Sequence, residues 1–439
     1  MNQPIDLIIR PEWTLLTHPE VTAQPGVAVA VDGGRIVAVA PEREISERFT
    51  ADAEHARPGH VLMPGLVNAH CHAGMALLRG CADDLPLETW LSQHIWPLES
   101  RWVNREFIAD GTRLAIAEML RGGITCFADM YYFPDVVART AIEAGIRVSV
   151  GMIALEVPTA WAETPDEYIS KGLAVHDEFR GEPLVTTTFA PHAPYTVADE
   201  TLSRIRLLAD ELDVPIHMHV HETAAEIQQA LAADGRRPLA RLDTLGLVTP
   251  ALMAVHATQL DERDIALLAT ARATVVHCPR SNLKLASGAC RVADLIAAGV
   301  NVALGTDGAA SNNRLDLWSE LELCALLGKL VAGDATAVPA RAALEMATIN
   351  GARALGLGDE TGSLEVGKAA DLVCVDLSDA GQRPVLDPIS QLAYSVARDQ
   401  VSDVWVAGEH LVADKQLLRM DVAEVAATAD RWGAKLSSA

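Results

Sequence analysis

The chain has 439 residues, half of them hydrophobic, and carries 59 acidic against 35 basic side chains for a formal charge of −24. A surface of that sign repels phosphate backbones, which argues against nucleic acid as a partner, and no apolar run approaches the ~20 residues a bilayer crossing needs. Seven cysteines stand singly at 71, 81, 126, 278, 290, 324 and 374, with no C-x-x-C pair to suggest a zinc ribbon or a disulfide framework. The start, "MNQPIDLIIRPEW", lacks the basic-then-apolar pattern of a secretory signal, so a cytoplasmic location is expected.

The first sixty residues are β-rich. "PIDLIIR" and "GVAVAVDGGRIVAVA" are short apolar runs, and "DGG" at 32–34 is a hairpin signal. From residue 64 apolar strands alternate with helix-like stretches such as "IADGTRLAIAEMLRGG". Counting "HVLMPGLVNAH" as the first strand, the series continues with "ITCFADM", "IRVSVGMIAL", "LVTTTFAPH", "VPIHMHVHE", "ALMAVHAT", "ATVVHCP" and "VNVALGTDG". Eight strands with helices between them are the pattern of an α/β fold of (β/α)₈ type, a TIM-like barrel. β texture returns in "GSLEVGKAADLVCVDL" and "VSDVWVAGEHLVADK". The expected division is a small β-sandwich made from residues 1–62 and 363–420, a barrel over 63–362, and a C-terminal helix over 421–439. A separate C-terminal domain is the alternative.

Barrel active sites lie at the C-terminal ends of the strands. Those ends carry His70 and His72, then His192, then His217, His219, His221 and Glu222, then His256, His277 and Asp307. Eight of the 14 histidines therefore fall at one mouth. A single core histidine is easily explained by a backbone partner, but a ring of them is not. Three imidazoles and a carboxylate suit one zinc or another borderline divalent ion, and His70, His72, His219 and Asp307 are the expected ligands. Strand alternation puts His217, His219 and His221 on one face. His219 is preferred because it stands three residues before Glu222, leaving that carboxylate free to reach a bound water. Such a water has a pKa of roughly 7, and Glu222 is expected to pass its proton to the substrate. Glu222 also suits the first turn of a helix, as do Thr223 and Glu226. H-E-x-x-H, G-x-S-x-G, Walker A and G-x-G-x-x-G are absent from the sequence. Strand four has no lysine, which favours one metal over a lysine-bridged pair.

"PGLVNAHCH", "HMHVHET", "VHCPRSNLKLASG" and "GTDGAASNN" together resemble the amidohydrolase superfamily over nearly the whole chain. Within it, "ADDLPLETWLSQHIWPLE", "GITCFADMY" and "PHAPYT" are most similar to 5′-methylthioadenosine/S-adenosylhomocysteine deaminases. The resemblance implies the same four ligands and a purine nucleoside substrate that loses its 6-amino group as ammonia. It implies that Glu222 shuttles a proton to N1, that His256 orients the attacking water and that Asp307 takes its proton. His192 would bond the purine near N3, Glu99 would accept from the ribose hydroxyls, and Trp90 would also contact substrate. Ser281 and Asn282 are expected to shape their loop more than the chemistry. A homo-oligomer is expected.

A guanine deaminase or an s-triazine hydrolase on the same mononuclear site is the alternative, and Glu99 with His192 argues for a nucleoside. A non-catalytic metal scaffold would not need Glu222. In the family, arginines after the third strand hold the homocysteine carboxylate. Here residues 151–172 contain no arginine and only Lys171 as a cation. Leu155, Val157 and Trp161 would instead cover a methylthio group.

Overall fold

The computed structural model describes residues 2–437. Eight parallel strands form its central sheet in sequential order. They are Leu66–Cys71, Ile124–Asp129, Arg147–Ala154, Val185–Pro191, Ile216–Val220, Leu252–His256, Thr274–His277 and Asn301–Leu304. Most are apolar runs buried along their whole length, as parallel strands covered by helices must be. The long helix that leads into the second strand, Arg105–Arg121, starts where the Asn104 side chain accepts from Phe107 N at 3.0 Å and ends at Gly122. Its buried face includes Phe107, Ile108, Ala115, Ile116, Met119 and Leu120.

The eighth strand returns to the first through polar groups just beyond its end. Asp307 N donates to His70 O at 3.0 Å, and Thr306 N donates to the Asn68 side chain at 2.9 Å. Asn68 returns a hydrogen bond to Thr306 Oγ1 at 2.8 Å. Gly305 makes this seam possible, because a Cβ there would stand 2.8 Å from His70 Cβ. Closure of the barrel and placement of two candidate ligands are thus one event.

The stretch read as a single first strand is in fact two. "HVLMP" belongs to strand Phe49–Pro64 of a second sheet, and only Leu66–Cys71 enters the barrel. Gly65 marks the break: its N–H bonds Asp371 O at 2.9 Å, and a side chain there would overlap Thr125. The second sheet is mixed and has nine strands from both ends of the chain. Strand Gln3–Leu16 runs parallel to Phe49–Pro64, which pairs antiparallel with Leu372–Asp376. The strands expected to form the sandwich are hydrogen-bonded into one continuous sheet. Leu7, Val29 and Ile36 from one half nevertheless share a core with Leu372 and Trp405 from the other. The hairpin expected at "DGG" is present, with Asp32 paired to Arg35 and both glycines left-handed at φ 56° and 74°. Helix Val422–Ser437 follows the last strand and packs Trp432 edge-on to Phe107.

Barrel and sheet are pinned together by a buried ion pair. Arg147, at the start of the third barrel strand, bonds Asp371 through Nε at 3.0 Å, and their side chains are 3% and 0% exposed. Arg147 Nη2 makes a second bond to Asp371 at 3.2 Å, Nη1 donates to Pro183 O, and Asp371 also accepts from Ala407 N at 2.8 Å. Removing one member of such a pair leaves a buried charge unpaired, at a cost of about 3–5 kcal/mol. Asp371→Ala is therefore expected to lower the thermal unfolding midpoint by several degrees. A variant melting with the wild type would show that the pair adds nothing net.

Candidate metal centre and active-site pocket

Six of the histidines at the barrel mouth interlock. His70 packs edge-on against His72, His217, His219 and His256, and His219 contacts His72, His192 and His256. His70, His72 and His219 bring one ring nitrogen each within 4.8 Å of the others. Asp307 Oδ1 completes the cluster, 3.4 Å from His70 Nε2 and 3.2 Å from His72 Nε2.

The other nitrogen of each ring is already engaged. His72 Nδ1 faces Met130 O at 2.5 Å, His219 Nδ1 faces His192 O at 2.9 Å, and His70 Nδ1 faces His217 Nε2 at 2.8 Å. A carbonyl can only accept, so His72 and His219 carry their proton on Nδ1 and present the Nε2 lone pair to the shared centre. His217 accepting from His70 extends the same arrangement to the third ring. Burial pushes the His70 imidazolium down to about 3 and His219 well below the ordinary range, which favours the neutral, ligating form. Burial alone would raise Asp307; the facing His70 and His72 outweigh it and hold the carboxyl well below its ordinary value. Oδ2 of Asp307 accepts from Ser281 Oγ at 2.6 Å and Ser311 Oγ at 2.8 Å. Imidazoles offering Nε2 and an anchored carboxylate converging on one point fit a single divalent ion such as zinc.

Glu222 and His256 flank the cluster, with Oε2 and Nε2 3.8 Å apart. Burial raises the Glu222 carboxyl, against the pull of His256. The helix Ala224–Asp234 begins at Thr223, whose hydroxyl caps Glu226 N at 3.2 Å. Glu226 reaches back to accept from His221 N at 3.0 Å and Glu222 N at 2.7 Å, so the first turn also fixes the Glu222 backbone. His256 Nδ1 faces Asn282 Oδ1 at 2.9 Å, which frees Nε2 toward the site.

His221 does not share the face of His217 and His219. The strand ends at Val220, and His221 turns left-handed at φ 55°. Its Nε2 accepts from Leu239 N at 3.1 Å, a structural role. His256 and Asp307 are also left-handed, at φ 72° and 60°, conformations unusual for residues with a Cβ and concentrated at functional sites. His277 is buried at its strand end but makes no ring contact with the cluster among those described.

Ser281 and Asn282 do more than shape a loop, since they hold Asp307 and His256 directly. Sequence reasoning also missed Glu320. Fully buried on helix Leu317–Ala332, it accepts from Arg280 N at 3.0 Å and Asn312 Nδ2 at 2.7 Å. It thereby ties the loop after strand seven to the loop after strand eight. Burial pushes its carboxyl up to about 8. No motif signals such a residue, because its partners are distant in sequence.

Above the cluster lies a narrow pocket walled by Trp90, Glu99, Leu155, His192 and Tyr195, with Glu222 at its floor. A π-helical turn, Leu91–Ile95, joins helices Leu87–Trp90 and Trp96–Trp102. From this stretch Trp90, Leu91, Ile95 and Glu99 face the pocket together. Glu99 accepts from the Tyr131 hydroxyl at 2.6 Å, and burial lifts its carboxyl to about 7. His192 Nδ1 lies 3.0 Å from Thr196 Oγ1. The pocket opens into an outer cavity of about 1580 Å³. Leu155 and Val157 line that cavity as expected, but Trp161 does not: it is buried against Phe133.

Residues 61–411 match the amidohydrolase family. The chain belongs to that family. It is 50% identical over 434 residues to a 5-methylthioadenosine/S-adenosylhomocysteine deaminase from Teredinibacter turnerae, covering 99% of this chain and 98% of the relative. A solved structure described as an adenosine deaminase from Xanthomonas campestris with bound zinc superposes with a TM-score of 0.99 at 51% identity, covering both chains completely. Atrazine chlorohydrolase from Arthrobacter aurescens superposes at 0.91 with 24% identity, covering 97% of this chain and 99% of that one, and shares the fold. This amidohydrolase is an enzyme whose donor set suits one zinc per chain. Elemental analysis of the purified protein is expected to give about one metal per chain, and His219→Ala is expected to lose it. Two metals per chain, or full metal retention by the variant, would contradict the assignment.

Proposed function

We propose that this amidohydrolase deaminates the adenine ring of 5′-methylthioadenosine, with His70, His72, His219 and Asp307 holding zinc and Glu222 and His256 carrying the proton chemistry. The observation that carries this reading is the placement of Glu222 and His256 beside the donor cluster, at the floor of a pocket walled by Glu99 and His192. When bound, zinc supplies a water acidic enough to ionise near neutral pH, with a pKa of roughly 7.

The protein's own groups account for the remaining requirements. Glu222, buried and raised toward the protonated form, delivers a proton to purine N1, which makes C6 electrophilic. His256, fixed by Asn282, aims Nε2 at the attacking water, and Asp307 Oδ1 takes the proton that water gives up. The water's hydroxyl would add to C6, the amino group would leave as ammonia with the proton held by Asp307, and the C6 hydroxyl proton would return to Glu222 as the 6-keto purine forms. His192, its Nδ1 lying 3.0 Å from the Thr196 hydroxyl, keeps Nε2 to bond the purine near N3. Tyr131 occupies one oxygen of Glu99 and leaves the other to accept from the ribose. Trp90 forms an apolar wall of the same pocket.

All seven cysteines are free and six are buried, which supports a reducing, cytoplasmic setting. No helix among the described residues is long and apolar enough to cross a membrane. Leu326, Leu330 and Val331, exposed along one helix, support a homo-oligomer.

Glu222→Gln preserves shape but cannot carry a proton. Zinc content is expected to remain while ammonia release falls by roughly 10²–10⁴-fold. A loss below about tenfold would move the shuttle to another group, His256 being the nearest.

The outer cavity also bears on substrate choice. Lys171 is spent on Trp161 O and Glu167, and the arginines on the cavity wall are already paired, Arg236 with Asp234 and Arg241 with Asp199. A homocysteine carboxylate entering there meets no unpaired guanidinium fork. kcat/KM is expected to be higher for 5′-methylthioadenosine than for S-adenosylhomocysteine. Side-by-side kinetics test this, and equal or greater efficiency with the larger substrate would overturn it.

A further inference from the structure

Two large aromatic side chains are left open to solvent at the neck of the active site. Trp96 is 46% exposed and Tyr195 is 45% exposed. Both belong to the wall shared by the inner pocket and the outer cavity, together with Tyr132 and Leu155. They come from opposite sides of the chain's architecture. Trp96 is the first residue after the π-helical turn, and Tyr195 lies in the loop after the fourth barrel strand with its ring 6.2 Å from and perpendicular to that of His192. An exposed Trp–Tyr collar on a chain with only 4% aromatic residues needs a reason, because surface aromatics of this size usually mark a binding surface.

The depth order of the site indicates what passes through the collar. C6 of the purine must reach the donor cluster at the floor, and the ribose must lie beside Glu99, midway up the wall. The substituent on the ribose 5′ carbon is then the part of the substrate at the neck. We propose that Trp96 and Tyr195 are specificity-determining residues that select an apolar 5′ thioether over a 5′ hydroxyl. This rests on the nucleoside deaminase reading above. A thioether sulfur near aromatic rings gains favourable contact and its methyl group leaves water. A hydroxyl at the same place gives up hydrogen bonds with water and meets ring faces in exchange.

The test uses the zinc-loaded, full-length protein with Trp96→Ala, Tyr195→Ala and Trp96→Phe, assayed on 5′-methylthioadenosine, 5′-deoxyadenosine and adenosine. For each alanine variant, the ratio of kcat/KM for the thioether to that for adenosine is expected to fall by about tenfold or more, mainly through the KM of the thioether. Trp96→Phe is expected to recover most of the loss. Since both residues are half-exposed, the variants are expected to melt with the wild type. Equal losses on adenosine and the thioether, or no loss on either, would overturn the proposal. Wild-type protein inactive on every nucleoside would instead overturn the deaminase reading itself, and the collar with it. Equilibrium binding of 5′-methylthioinosine against inosine gives a readout independent of turnover, with the same preference expected in wild type and its loss in the alanine variants.

Discussion

Everything at the barrel mouth depends on keeping a packed group of imidazoles neutral and aimed. Each ring has two nitrogens, and a lone pair can be offered to the centre only if the proton sits on the other side. Met130 O and His192 O accept a hydrogen bond from that proton on His72 and His219, and His217 accepts one from His70. For His70 and His219 burial does the rest, because an imidazolium in their setting would lose its hydration and face its neighbours' charge. The carbonyls that fix two of the rings belong to the strand ends themselves. The orientation of the cluster is therefore set by the barrel's backbone, and the side chains inherit it.

The same logic extends outward through a second layer. Ser281 and Ser311 hold Asp307, Asn282 holds His256, and Glu226 holds the backbone of Glu222. Glu320 then joins the loops that carry Ser281, Asn282 and Ser311. Each link is a hydrogen bond between buried groups, where the absence of water makes both the bond and its loss matter more. The left-handed residues at three strand ends fit this picture. Their backbone conformations are uncomfortable and persist because so many bonds around them agree.

How much of this could be read in the sequence follows from the range of each interaction. Strands declare themselves by apolar runs, and a histidine at a strand end is visible by position, so the barrel and the cluster of His70, His72, His219 and Asp307 were legible. His221 was misjudged because alternation holds only while the strand lasts, and it stops one residue earlier. The joint at Pro64–Gly65 was missed because both halves of "HVLMPGLVNAH" are equally apolar. Ser281, Asn282 and Glu320 act across the barrel through contacts that no local pattern encodes. Trp161 illustrates the same limit: the sequence offers it as a pocket residue, and only its packing against Phe133 shows it buried.

The mixed sheet has a bearing on the order in which the molecule can be made. Strand Phe49–Pro64 finds its parallel partner Gln3–Leu16 early in synthesis, but its other edge stays bare until Leu372–Asp376 emerges from the ribosome. An open strand edge of that length is a template for unwanted pairing. The barrel is in the same position, because its first strand waits for residues near Asp307 to close the seam. Both halves of the protein thus hold an N-terminal edge open for several hundred residues of translation. Contacts so distant along the chain are slow to form. The nascent protein spends that interval dependent on whatever shields exposed edges in the cell, and a truncated chain would keep them exposed for good.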